Sequence, residues 1–292
     1  MGRGGPAWGA AKVRSARGVG KGGPAWGAAE VRSARGVGKG GPAWGAVLVV
    51  TCLAVLLPAA VAQAAPYRDP LARTGKLAVG SCAEPAIVQG GIPRTREYLT
   101  AVLKCLDNSW SAHLARARLP FRKPAVRFYE APEHRVCGVP WPQDAAAFYC
   151  TNRGRLVFPL TGHWIEDRTD LYPFKVAAHE YGHHVQSLTG IRPRYESAVR
   201  AGKEPQAELS RRYELQADCL SGVFLGSVWR SLDRTDRDWA ALLEATRASG
   251  DDADGHRGHG SGATRARWLK RGYQTLSPSA CDTWSAPSRA LS

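Results

Sequence analysis

No pair of cysteines in this sequence has CxxC spacing, which excludes the Cys-rich structural zinc sites that such pairs build. Methionine is nearly absent: Met1 is the only one, so a translation start downstream of it would use another codon. The part of the chain with globular composition also lacks a tight Lys/Arg run with interleaved aromatics. Its share of the net charge of +15 therefore reads as a solvated basic surface, and no specific nucleic-acid partner is expected. Asp251, Asp252 and Asp254 cluster, but without the spacing of an EF-hand loop, so they read as a helix-end and turn cluster instead of a calcium site.

What is present falls into three parts. Residues 4–21 read GGPAWGAAKVRSARGVGK, residues 22–39 repeat them almost unchanged, and a third copy begins at Gly40. The copies are rich in Gly and poor in apolar residues, so residues 1–45 are expected to be a disordered basic repeat and not a solenoid. Residues 46–62 read AVLVVTCLAVLLPAAVA, an apolar run behind a basic segment, followed by the small-x-small sequence Ala62-Gln63-Ala64. Residues 46–64 thus read as a secretory signal peptide cleaved after Ala64, the alternative being an uncleaved anchor that attaches the chain to a membrane through residues 46–62. Residues 65–292 are long enough for one catalytic domain. Of the 7 cysteines, Cys52 lies in the apolar run. The other six fit an exported protein with up to three disulfides, and nearest-neighbour pairing is expected: Cys82–Cys105, Cys137–Cys150 and Cys219–Cys281. The protein is therefore expected to be secreted or extracytoplasmic, or anchored with its domain outside.

Along residues 65–292 the periodicity changes from helix to strand and back. Leu99, Val102, Leu103, Leu106, Trp110 and Leu114 give a helix over 94–119, ended by Pro120. Short strands are expected over 125–130, 147–150 and 155–160, with Asn152-Arg153-Gly154 as a turn. Helices follow over 171–189, 194–201, 204–230, 236–248 (capped by Thr235 or Asp236) and 263–274, with a loop over 250–262. The order predicts an α+β fold, mostly helical, with a small sheet preceding the central helix.

That central helix carries His179-Glu180-Tyr181-Gly182-His183, an HExxH sequence. Residues four apart on an α-helix differ by only about 40° around its axis, so both imidazoles face one point and suit two of the three protein ligands of a catalytic zinc. Glu180 is placed to take a proton from a zinc-bound water and return it to a leaving amine. In a chain with 8 His the motif arises by chance roughly once in a hundred such chains, so a third ligand decides its meaning. An all-histidine HExxHxxGxxH version is excluded, because Thr189 and Gly190 are followed by Ile191 and Arg192. Glu214 lies 31 residues after His183 and shares a helix face with Asp218, four residues on. Glu214 can complete a His2Glu site, and Asp218 can accept a hydrogen bond from a ligand histidine and fix its tautomer. Glu208 is the runner-up ligand. His184 points about 100° away from His183 and is not expected to be a ligand. His259 is the candidate donor to the developing oxyanion, with Tyr181 and Tyr213 as alternatives.

HEYGHHVQ followed by ELQADCLSG resembles the bacterial neutral zinc metallopeptidase family, of the gluzincin type. The resemblance extends from Cys137 through the Tyr149-Cys150 strand region to GDDADGHRGHGSGATRARWLKRGY and the ending Cys281-Asp282-Thr283-Trp284. The family has a Thr-His-Gly run where this chain reads Gly258-His259-Gly260, so the Thr is missing. The resemblance implies a zincin-like fold, Zn2+ held by His179, His183 and Glu214, Glu180 as the catalytic acid/base, and a peptide or protein substrate. The alternative function is a zincin-fold binding protein at the cell surface without turnover.

Overall fold

Leu99, Val102, Leu103, Leu106, Trp110 and Leu114 all lie buried on one face of the first helix, α1 (Gly91–Arg116). Each such side chain contributes roughly 1.5–3 kcal/mol when taken out of water. The computed structural model describes residues 68–86, 90–142, 145–166, 168–254 and 258–292, with backbone alone at 253 and 254. The repeats of residues 1–45 and the apolar segment 46–64 lie outside the described residues.

After α1 come five short strands: β1 (Ala125–Tyr129), β2 (Arg135–Val136), β3 (Val139–Pro140), β4 (Phe148–Cys150) and β5 (Arg155–Pro159). The sheet order is β1-β5-β4, with β5 parallel to β1 and antiparallel to β4. Leu156, Val157 and Phe158 of the central strand are fully buried, whereas β1 alternates exposed and partly buried residues, as an edge strand covered on one face does. The expected turn over 152–154 is a 3-10 turn closed by Gly154 at φ 57. The β2–β3 hairpin is an addition to the expected elements. Its two turn residues, Cys137 and Gly138, have φ 52 and 89, the left-handed pair that a two-residue hairpin loop requires. Cys137 bonds to Cys150 and so fastens this hairpin to β4.

Six helices follow: α2 (Tyr172–Leu188), α3 (Ile191–Ala201), α4 (Gln206–Val228), α5 (Asp236–Arg247), the single turn α6 (Asp251–Asp254) and α7 (Gly262–Thr275). The α6 turn lies within residues expected to be loop. Thr235 caps α5 through a reciprocal capping box with Asp238. α2 starts with Pro173 in its first turn, where a missing N–H costs nothing, and Gly190 in the left-handed region (φ 81) turns the chain into α3. α2 is buried almost all round, as a helix enclosed by β5, α1 and α4 must be. Among the described residues the architecture is the expected mostly helical α+β arrangement.

Two close helix approaches set the packing around α4. A Cβ on Gly182 of α2 would lie 3.2 Å from the Ala217 backbone of α4. Between α4 and α7 the contact is closer still. A Cβ on Gly222, Gly226 or Gly272 would lie 2.0, 2.3 and 1.9 Å from the carbonyl oxygens of Leu269, Tyr273 and Cys219, respectively. Hydrogen side chains are what let these backbones touch.

The disulfides are Cys82–Cys105, Cys137–Cys150 and Cys219–Cys281, with Cα–Cα distances of 5.4, 6.2 and 5.5 Å, which is the nearest-neighbour pairing. The last spans 62 residues and pins the C-terminal tail to α4. In the loop-entropy account such a closure stabilises by about 4 kcal/mol. Three disulfides fit an oxidising, extracytoplasmic compartment. Among the described residues no helix is long and apolar enough to cross a membrane.

Candidate metal centre

α2 and α4 bring His179, His183 and Glu214 together, so that one donor atom from each lies within 4.8 Å of the others. Nε2 of His179 and Nε2 of His183 both lie 3.2 Å from the same atom, Oε2 of Glu214. Burial pushes the Glu214 carboxyl toward neutrality, but His183 and His259 hold its pKa well below the usual carboxylate range. Burial likewise opposes a proton on His183, yet Glu214 outweighs it and lifts the imidazole to about 9. Glu180 is buried beside them, and its charge adds to the pull on that proton.

Each imidazole is held from behind. His179 Nδ1 meets Asp218 Oδ1 at 2.9 Å. Asp218 is fully buried and is also met by Lys175 Nζ at 2.6 Å and by Arg265 Nε at 2.8 Å. Burial raises the Asp218 pKa, but Arg265, Lys175 and His179 keep it well below the normal range. Arg265 also donates to the Ser249 carbonyl at 2.6 Å, which ties α7 to the end of α5. His183 Nδ1 meets a neutral group, Gln186 Oε1, at 2.8 Å, and its ring stacks on Tyr213 with centroids 4.7 Å apart.

The remaining candidates separate clearly. His259 sits at the rim with half its side chain exposed, its Nε2 3.8 Å from Glu214 Oε2. Asp251 holds its loop by accepting from the backbone N–H groups of His259 and Gly260, while Asp252 accepts from Gly262, so the aspartates serve the turn. Glu208 is not part of the cluster: it pairs with Arg212 at 2.7 Å and accepts from Ser288, one helical turn and more before Glu214. Tyr181 donates to Asp107 at 2.8 Å, whereas the ring of Tyr213 stacks between His183 and Tyr195 with its hydroxyl buried. His184 is held by Tyr149 Oη and the Arg122 carbonyl, away from the cluster. Lys175, Gln186, Gln216, Arg265 and Asp69 are additions to the residues that the sequence marks. Lys175 stands four residues before His179 and Gln186 three after His183, so helical spacing alone puts both on the motif's face. Arg265 and Asp69 carry no such signal.

These residues fit a zinc ion. The donor set is two imidazole nitrogens and one carboxylate oxygen, a set that leaves a fourth position open. Both Nδ1 atoms are engaged from behind, which turns both Nε2 atoms toward the common point. The carboxylates of Glu180, Glu214 and Asp218 outnumber the fixed cations Lys175 and Arg265, so the buried charge favours a cation between the imidazoles.

Fold and donor set define an α+β protein with a helix-borne His2Glu centre. The chain belongs to the family described as "Putative neutral zinc metallopeptidase", whose model matches residues 12–284. Among its relatives, the Escherichia coli K12 protein named "Uncharacterized protein YpfJ" is 27% identical over 204 residues, covering 64% of this chain and 71% of YpfJ. "Uncharacterized protein Rv2575" of Mycobacterium tuberculosis H37Rv is 32% identical over 192 residues, covering 57% of this chain and 64% of that protein. No solved structure matches the chain.

Proposed function

We propose that this protein is a zinc-dependent peptidase that hydrolyses peptide bonds in peptides or proteins outside the cytoplasm. The observation that carries the reading is the convergence of His179 Nε2, His183 Nε2 and Glu214 Oε2 beside the buried carboxylate of Glu180. His179, His183 and Glu214 hold the ion. When bound, zinc acts as a Lewis acid that polarises a carbonyl and lowers the pKa of water to about 7. Glu180 takes the proton from the attacking water and delivers it to the nitrogen of the departing amine. His259, at the open rim and drawn toward its protonated form by Glu214 and Asp251 against the effect of burial, offers an N–H to the substrate carbonyl oxygen as negative charge develops there. Asp218 and Gln186 keep the two imidazoles aimed while this happens.

Glu180→Gln separates catalysis from metal binding. The variant is expected to keep one zinc per chain and to lose about 1,000-fold or more of the cleavage rate on a broad peptide library. A zinc-loaded wild type as inert as the variant would overturn the reading.

A further inference from the structure

Behind His183 runs a chain of buried side chains that the metal site alone does not require. Gln186 Oε1 lies 2.8 Å from His183 Nδ1. Gln186 Nε2 donates to the Tyr213 carbonyl at 2.8 Å and to Gln216 Oε1 at 3.0 Å. Gln216 Nε2 donates to Asp69 Oδ2 at 2.5 Å. Both glutamines are completely buried, and Asp69 is 5% exposed. Asp69 belongs to the first segment the structure describes, where its other oxygen accepts from Leu71 N at 2.8 Å and caps a 3-10 turn (Pro70–Arg73).

Every amide in this chain has one allowed orientation. Burial raises Asp69 to about 6, and above that pH its carboxylate can only accept, so Gln216 must turn its NH2 toward it. Gln216 Oε1 then faces the other way, where it also accepts from the indole N–H of Trp284 at 3.1 Å, a group that can only donate. That oxygen and the Tyr213 carbonyl can only accept, and the NH2 of Gln186 donates to both. Gln186 is left with its oxygen toward His183, so Nδ1 must carry a hydrogen whatever the charge of the ring, and Nε2 is the nitrogen that gives up its proton when a metal binds. Reversing Gln186 would set its oxygen against the Tyr213 carbonyl and Gln216 Oε1, and reversing Gln216 would set its NH2 against the Trp284 and Gln186 N–H groups, each a mismatch of buried groups that costs their desolvation.

We propose that Asp69, Gln216 and Gln186 are positioning residues that set the tautomer of His183, so that seating of the segment around Asp69 tunes the affinity of the metal centre. The effect acts along three hydrogen bonds and reaches no substrate atom. The affinity readout below rests on the zinc reading; the proton readout does not.

The test is a double-mutant cycle on the full chain with Asp69→Ala and Gln186→Leu, with zinc affinity read by competition with a chelator and folding checked by near-ultraviolet circular dichroism. Gln186→Leu is expected to weaken zinc binding about 10–100-fold. Asp69→Ala is expected to weaken it roughly 5-fold, and the double variant to bind no more weakly than Gln186→Leu alone, since the chain is already cut. Two losses that multiply, or an Asp69→Ala loss of stability with unchanged affinity, would overturn the proposal. A second measurement uses the metal-free protein: the His183 Nδ1 proton, followed by NMR, is expected to exchange with solvent several-fold faster in Asp69→Ala. An unchanged exchange rate also overturns the proposal. Asp69→Asn replaces Asp69→Ala in both measurements if the alanine variant does not fold, because its NH2 must oppose either Leu71 N–H or Gln216 Nε2. A wild type that binds no zinc defeats the proposed function and leaves the proton exchange to decide the chain.

Discussion

His179 is backed by charge, whereas His183 is backed by a row of neutral amides that meets a charge only at Asp69. Both arrangements engage Nδ1 and turn Nε2 toward Glu214 Oε2, so direction does not require charge. What charge adds is anchorage. Asp218 gathers Lys175 from α2, His179 from α2 and Arg265 from α7, and so binds helices together as well as aiming a ring. The amide chain joins α2, α4 and the segment at Asp69 with a single buried ion, the Asp69 carboxylate, at its far end. Every side-chain nitrogen and oxygen of the two glutamines has a partner, and the chain avoids the desolvation that a second buried cluster of ions would cost.

The largest test of this contrast is Asp218→Asn. It leaves Lys175 and Arg265 without their buried counter-charge, and a loss of about 3–5 kcal/mol of stability is expected in urea denaturation. The contrast fails if this variant is no less stable than Gln186→Leu, which removes only neutral bonds. Next comes pH, where the two supports part in sign. In the metal-free protein His183 is raised from 6.5 to about 9. Its pairing with Glu214 therefore stabilises the fold below about pH 6.5 and is lost as pH rises through about 9, at most about 3 kcal/mol. Asp218 is depressed, so its contribution is present above about pH 3.8 and is lost only in stronger acid. Melting temperatures of the metal-free protein should fall between pH 7 and 10, while zinc affinity should rise over the same range because the proton on His183 competes with the metal. A flat metal-free profile would break this half of the comparison. The smallest effect is expected for Lys175→Met. Burial already works against this ammonium, and Asp218 keeps Arg265 and His179, so a loss of roughly 1–2 kcal/mol is expected by the same denaturation measurement.

Much of this arrangement is legible where the relevant residues repeat along one helix. The α1 stripe follows from its spacing, and His179, His183, Glu214 and Asp218 form two i, i+4 pairs on two helices that the fold brings side by side. The β2–β3 hairpin is not legible, because its left-handed turn is built from Cys137-Gly138 instead of the Asn-Gly or Asp-Gly that announces such turns. Arg265 is 47 residues from Asp218 and shares its helix with Arg267, Lys270 and Arg271, so only the packing of α7 on α4 selects it. Asp69 is 147 residues from Gln216, in a stretch without periodicity, and nothing local marks it as a partner of the interior.

The glycine contact between α4 and α7 has an evolutionary consequence. Any replacement at Gly222, Gly226 or Gly272 adds at least one carbon where a carbonyl oxygen already stands within 2.3 Å. These positions have no neutral neighbours in sequence space. A first step away from glycine separates the helix that carries Glu214 and Asp218 from the one that carries Arg265, so the setting of the histidines is constrained at residues that never touch them.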